Sequence, residues 1–261
     1  MDSLNPESPP VSITPAQHQP RILGFWWTTL WGVVLFAAMF VGQIAVVVFF
    51  VLARGDGLDL GEAIRVVAGS GLAIALSVIC GLPTTLVALW LAIRMTRTPF
   101  ADYLALRWPS WKDFLIGAGG LIVLVMGWDL MSRALGRETA PDFMNDVLNS
   151  ARRDGSVWML VPAIGLAAPL SEELMARGFL YRGWSETFLG VPGAIVLSSM
   201  VWTGLHLQYD WYFFGEVFCL GLWFGYLRYR SRSLWLTIVL HGLNNLGALV
   251  ETLVIAGQSQ S

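Results

Sequence analysis

Pro169-Leu170-Ser171-Glu172-Glu173-Leu174-Met175-Ala176-Arg177-Gly178 sets two carboxylates and a guanidinium inside an apolar run that extends from Trp158 to Trp184. A charged side chain at the centre of a spanning helix costs about 2.5–3.5 kcal/mol on insertion scales. Such groups face a bundle interior or a wet cavity and have partners there. The surrounding chain is of the kind that makes this matter: of its 261 residues, 56% are hydrophobic and only 13% charged, with mean hydropathy +0.62. That is too apolar for an ordinary soluble domain and points to an all-α, polytopic membrane bundle. What partners Glu172, Glu173 and Arg177 is therefore the first question about function.

Outward from this stretch the apolar runs number about seven. They are Gly24 to Ala53, Val66 to Ile93, Phe114 to Met131, Trp158 to Trp184, Pro192 to Leu207, Phe213 to Tyr229 and Leu234 to Ala256. Pro83 is expected to kink the second, and Pro169 to break or bend the fourth one turn before Glu172. Gly117, Gly119 and Gly120 would let helices approach closely in the third, whose Asp129 reads as an interfacial carboxylate. Residues 140–153 read as a short helix lying on the membrane surface, with Phe143, Met144, Val147 and Leu148 on one side. Residues 1–20 are polar and rich in Pro, a disordered tail that includes His18. Cys80 and Cys219 sit in apolar runs as packed thiols. A net charge of −2 implies no basic surface for nucleic acid.

Loop charge gives an orientation. Loops 94–112 and 228–233 each carry a net +3, which puts both, and the N-terminus, in the cytoplasm.

Glu173 and Arg177 are four residues apart on one helical face and can neutralise each other. Glu172 is rotated about 100° away, so it is left free for chemistry. The turn near Leu189-Gly190 would return the chain so that His206 comes to nearly the depth of Glu172. His241 and Asn245 share a face of the last span, about two turns from the loop at 228–233, so a site made by all four is expected to open on the cytoplasmic side. A carboxylate, two imidazoles and a carboxamide around water suggest hydrolysis. Glu172 would take the proton from water, His206 would hold it, and His241 and Asn245 would donate to an oxyanion. Glu172, His206 and His241 are also plausible Zn²⁺ ligands, although no His-Glu-x-x-His pair is present. At this level a Zn²⁺ mechanism and a metal-free glutamate mechanism both stand.

Glu172-Glu173-x-x-x-Arg177-Gly178, Trp202-x-x-x-His206 and His241-x-x-x-Asn245, with Gly221-x-x-x-Gly225-Tyr226 and Ser233-Leu234-Trp235, resemble the CAAX protease and bacteriocin-processing (CPBP, or Abi) family over residues 157–250. The resemblance implies an intramembrane endopeptidase, like the type II CAAX prenyl endopeptidases. Its catalytic helical core would be residues 157–256, preceded by a three-span N-terminal region at 21–156. It implies a general base at Glu172, its partner at His206 and an oxyanion pair at His241 and Asn245, with Glu173 and Arg177 supporting the site. Trp202 departs from the family, which usually has Phe there. The substrate implied is a membrane-associated peptide or a lipidated protein at the bilayer. The alternatives are a non-catalytic immunity or scaffold protein that keeps the fold, and a proton-coupled transporter, for which the half-to-half repeat is missing.

Overall fold

The computed structural model describes residues 23–53 and 57–258. The tail at 1–20, with His18, lies outside them. Ten helices and no strand make up the described residues: α1 Phe25–Ala53, α2 Leu60–Ala68, α3 Gly71–Arg94, α4 Phe100–Leu104, α5 Trp111–Ala134, α6 Asp142–Asp154, α7 Val157–Ser185, α8 Gly190–Thr203, α9 Trp211–Ser231 and α10 Leu234–Gln258. Their starts are written locally. Asp59, Ser70, Ser110 and Asp210 each accept a backbone N–H of the first turn of α2, α3, α5 and α9.

α7 is the axis of the bundle. Half of its most apolar window is buried inside the protein, against 17% for α1 and 11% for α5. It supplies Met175, Phe179 and Leu180 to one core with α1, α3 and α8, Ala176 to a second with α9 and α10, and Leu160 and Ala163 to a third with α3 and α6. α1 and α5 instead turn Val33, Val41, Phe49, Val123 and Leu130 outward. Such apolar faces are the contact of a membrane helix with lipid, and the chain is an integral membrane protein.

Five helices are long and apolar enough to cross: α1, α3, α5, α7 and α10. The other two expected spans are present as helices but fall outside that set. α8 has 14 residues, about 21 Å at 1.5 Å per residue, short of a hydrocarbon core of about 30 Å. α9 has the length, yet carries Glu216, Arg228 and Arg230. α8 and α9 pack together through the glycine pair: a Cβ at Gly221 would strike Ser199, and one at Gly225 would strike Ile195. In α5, Gly117 and Gly120 meet Leu240 and Trp223, while Gly119 faces open space.

Pro169 does not break α7. It has no N–H to give Gly165 in the α register, and the helix widens there. A π-helical turn runs over Ala163–Ala167 and a second over Leu174–Leu180, on either side of Ala168–Glu173. π turns concentrate at functional sites because they displace side chains and free carbonyls.

α6 does have the apolar side expected of it, but that side lies on protein. Val147, Leu148 and Ala151 pack against Ala75 of α3, Leu160 of α7 and Leu249 of α10.

The bundle has two distinct ends. At one, Leu234 donates its N–H to the Ala105 carbonyl, Ser233 Oγ donates to the Arg107 carbonyl, and Phe25 stacks on Trp184. At the other, Ser70 donates to Asp154, Thr139 to Glu251, and Arg137 pairs with Asp210. The first is called the basic end below, the second the α6 end.

Candidate active site

Glu173 and Arg177 pair as their spacing predicts, with Arg177 Nη1 donating to Glu173 Oε1 at 2.8 Å and both side chains wholly buried. Arg177 also ties α7 to α9, since Nη2 donates to the Gly221 carbonyl at 3.1 Å, and its guanidinium lies 4.3 Å from the centre of the Trp202 ring. The pair is single-pronged: Glu173 Oε2 and Arg177 Nε have no hydrogen-bond partner among the described residues. A buried pair left that incomplete is poor value as pure stabilisation. Its remaining contact is with His241, whose Nδ1 lies 3.2 Å from Glu173 Oε1. A carboxylate facing Nδ1 makes that nitrogen the proton carrier and turns Nε2 of the neutral ring into an acceptor.

His241 Nε2 in turn lies 3.9 Å from Glu172 Oε2. That gap is too long for a hydrogen bond and of a length a water bridges. Glu172 is not without a partner, for the Trp202 indole N–H donates to its Oε2 at 2.6 Å. The side chain stays 17% exposed, whereas Glu173 is sealed, so only Glu172 can meet a water. The two neighbouring glutamates thus separate as the helix geometry requires.

His206 is set by α8 giving way to a 3-10 turn at Gly204–His206. Its Nδ1 lies 3.1 Å from the Trp202 carbonyl, which makes Nδ1 the donor and leaves Nε2 as an acceptor. Trp202 stands edge-on between the two imidazoles, 5.2 Å from each ring centre. The expected pairing of Glu172 with His206 is therefore filled by Trp202, a residue marked in the sequence only as an unusual aromatic. Asn245 donates Nδ2–H to the Ile164 carbonyl at 3.0 Å, inside the first π turn. The contact is possible because Gly242 lets α10 touch α7: a Cβ there would sit 2.5 Å from the Gly165 carbonyl.

All four residues line one cavity of about 900 Å³. Its walls are mostly apolar, and α6 closes one side with Phe143, Met144 and Val147. Further carboxylates line it: Asp129, Glu216 and Glu251, with no Arg or Lys among the described residues. Asp129 is a cavity residue rather than only an interfacial one. Glu216 and Glu251 went unmarked in the sequence, though a carboxylate in an apolar run is the same signal that marked Glu172.

Zn²⁺ fits these residues poorly. Among the described residues no three His, Cys, Asp or Glu side chains are placed to hold a metal ion. His206 and His241 each turn Nδ1 onto a protein acceptor and keep a free lone pair on Nε2, so it is the placement of the set, not the orientation of either ring, that counts against a metal.

Residues 154–247 match the family model described as Type II CAAX prenyl endopeptidase Rce1-like, the family that the Glu-Glu, Trp-His and His-Asn motifs resemble. The match spans the end of α6 to the middle of α10 and takes in every residue of the constellation. No curated protein and no solved structure matches the chain.

Proposed function

We propose that this chain is an intramembrane endopeptidase that hydrolyses a peptide bond in a membrane-associated peptide or protein. The observation that carries the reading is the placement of Glu172, partly exposed in a cavity of about 900 Å³ that His206, His241 and Asn245 also line. The Rce1-like match supports peptide hydrolysis as the class of chemistry.

Water on the partly exposed carboxylate of Glu172, beside His241 Nε2, is the nucleophile. Glu172 takes its proton as it attacks, while His206 Nε2 accepts the second hydrogen and aims the oxygen. The proton then passes to His241 Nε2, and the imidazolium so formed is held by Glu173 against Nδ1. Its Nε2–H and the remaining amide N–H of Asn245 stabilise the oxyanion. The proton finally goes to the leaving amine. Every step uses groups of this chain. An apolar cavity lined by carboxylates, with no Arg or Lys among the described residues, suits an apolar substrate segment without acidic residues.

The test is cleavage of a peptide library by purified protein, with Glu172→Gln and His206→Ala as controls and a strong chelator in a parallel arm. Cleavage lost in both variants and kept under chelation supports this mechanism. Cleavage by Glu172→Gln at the full rate rejects it. Loss of cleavage under chelation, restored by added Zn²⁺, moves the reaction to a metal. A scaffold or immunity role is the second reading, favoured by no contact in the site.

A further inference from the structure

The cavity belongs to one end of the bundle. On α3 it is lined by Ile74 to Val78, near the start of that helix; on α7 by Leu160 to Glu172; on α9 by Glu216 to Leu220; and on α10 by Leu240 to Thr252. Each of these stretches reaches toward the α6 end, and none reaches the basic end of its helix. No residue of loops 94–112, 186–189 or 228–233 lines it. The expected cytoplasmic N-terminus and the expected cytoplasmic opening of the site therefore conflict, because the cavity and the two basic loops lie at opposite ends.

Charge decides which expectation gives way. Among the described residues the basic end carries Arg94, Arg97, Arg107, Lys112, Arg182, Arg228, Arg230 and Arg232. The α6 end carries Arg65, Arg133, Arg137, Arg152 and Arg153, and Asp59, Glu62, Glu138, Asp142, Asp146, Asp154 and Asp210 lie among them. Eight basic residues against five, at helix ends and in the short loops beside them, set the orientation. Engagement within the fold does not change this order: Arg137 pairs with Asp210 and Arg152 donates to the Leu253 carbonyl at the α6 end, while Arg182 pairs with Glu186 and Arg230 with Asp113 at the basic end.

We infer that the basic end lies in the cytoplasm and that the cavity opens toward the opposite face of the membrane. Resting on the peptidase reading above, this assigns the substrate class: a peptide segment exposed outside the cytoplasm, from an exported polypeptide or the outward part of a membrane protein. A lipidated tail held on the cytoplasmic leaflet does not reach Glu172 from that side.

The experiment is cysteine labelling of the full chain in intact cells, in a Cys80→Ser, Cys219→Ser background. One variant carries Glu138→Cys at the α6 end and another Asp102→Cys at the basic end; both positions are exposed. A membrane-impermeant maleimide is expected to label Glu138→Cys in intact cells and Asp102→Cys only after permeabilisation. The reverse pattern, or equal labelling of both, overturns the inference. Peptide cleavage by the same proteins in detergent is scored separately. Inactive protein with the expected labelling rejects the peptidase reading and leaves the orientation intact. Active protein with reversed labelling does the opposite.

Discussion

The Trp202 indole N–H donates to Glu172 Oε2 at 2.6 Å while the same ring covers the Arg177 guanidinium at 4.3 Å. One side chain therefore orients the glutamate that faces water and shields the cation that pairs with the glutamate that does not. Trp202→Phe keeps a ring over Arg177 and removes only the N–H. A hydrogen bond to a charged group contributes about 1.5–3 kcal/mol. Glu172 is partly exposed, so water recovers some of that, and kcat/KM is expected to fall about tenfold, or about 1.4 kcal/mol. Thermal stability in detergent should stay near that of the parent. An unchanged kcat/KM would show that the indole does not position Glu172.

The two glutamates are expected to fail differently. Glu172→Gln removes the proton acceptor and should lower the rate by at least about 100-fold, the lower range for general acid–base catalysis, with folding intact. Glu173→Gln breaks a sealed pair with Arg177, a change that typically destabilises by about 3–5 kcal/mol. Thermal unfolding beside single-turnover cleavage separates the two effects. The assignment falls if Glu173→Gln unfolds at the parent temperature while Glu172→Gln does not fold.

How far the sequence could be read depended on whether a feature is local. The Glu173–Arg177 pair follows from a spacing of four, and the helices follow from apolar runs bounded by capping residues. The company of Glu172 did not follow, because depth along a hairpin says which residues share a level but not which side chain reaches across. Trp202 lies one turn before His206 and takes the contact. The behaviour of Pro169 was hidden for a related reason. A missing N–H can be met by a wider turn, and the residues that contact that turn, Gly242 and Asn245, are some 75 residues away.

Gly242 is the point where α10 can approach the widened turn of α7. Gly242→Ala sets a Cβ 2.5 Å from the Gly165 carbonyl, a backbone atom that cannot swing aside. Overpacking of this kind costs about 1–3 kcal/mol. The displacement acts on the helix that carries His241 and Asn245, so cleavage should fall more steeply than stability. Asn245→Ala supplies the comparison, since it strands the Ile164 carbonyl without moving the helix. If Gly242→Ala leaves both unfolding temperature and rate unchanged, the close approach is not needed.

Asp154 closes α6 against α3, and with it the cavity wall that α6 forms. Its carboxylate accepts from the hydroxyls of Ser70 and Ser156 and from the backbone N–H groups of Leu72 and Ser156. Burial pushes this carboxyl up, but the hydrogen bonds, led by that of Ser156, outweigh it and hold the group below the usual carboxylate range. The sign of the consequence follows from linkage. A group whose folded pKa is depressed contributes stability that is present above its unfolded value, about 3.9 for Asp, and is lost as pH falls through the folded value. Acidification below about pH 4 should therefore loosen the α3–α6 contact while leaving it intact at neutral pH. Hydrogen exchange of the Leu72 and Ser156 amides, followed from neutral pH downward and corrected for intrinsic rates, reads this directly. Asp154→Asn is expected to lower protection at neutral pH and to flatten its acid dependence, because an amide does not titrate there. The same acid loss in Asp154→Asn as in the parent would assign the transition to another group. Because α6 places Phe143, Met144 and Val147 in the cavity wall, a loosened contact should also change cleavage, which ties this surface carboxylate to the site it helps enclose.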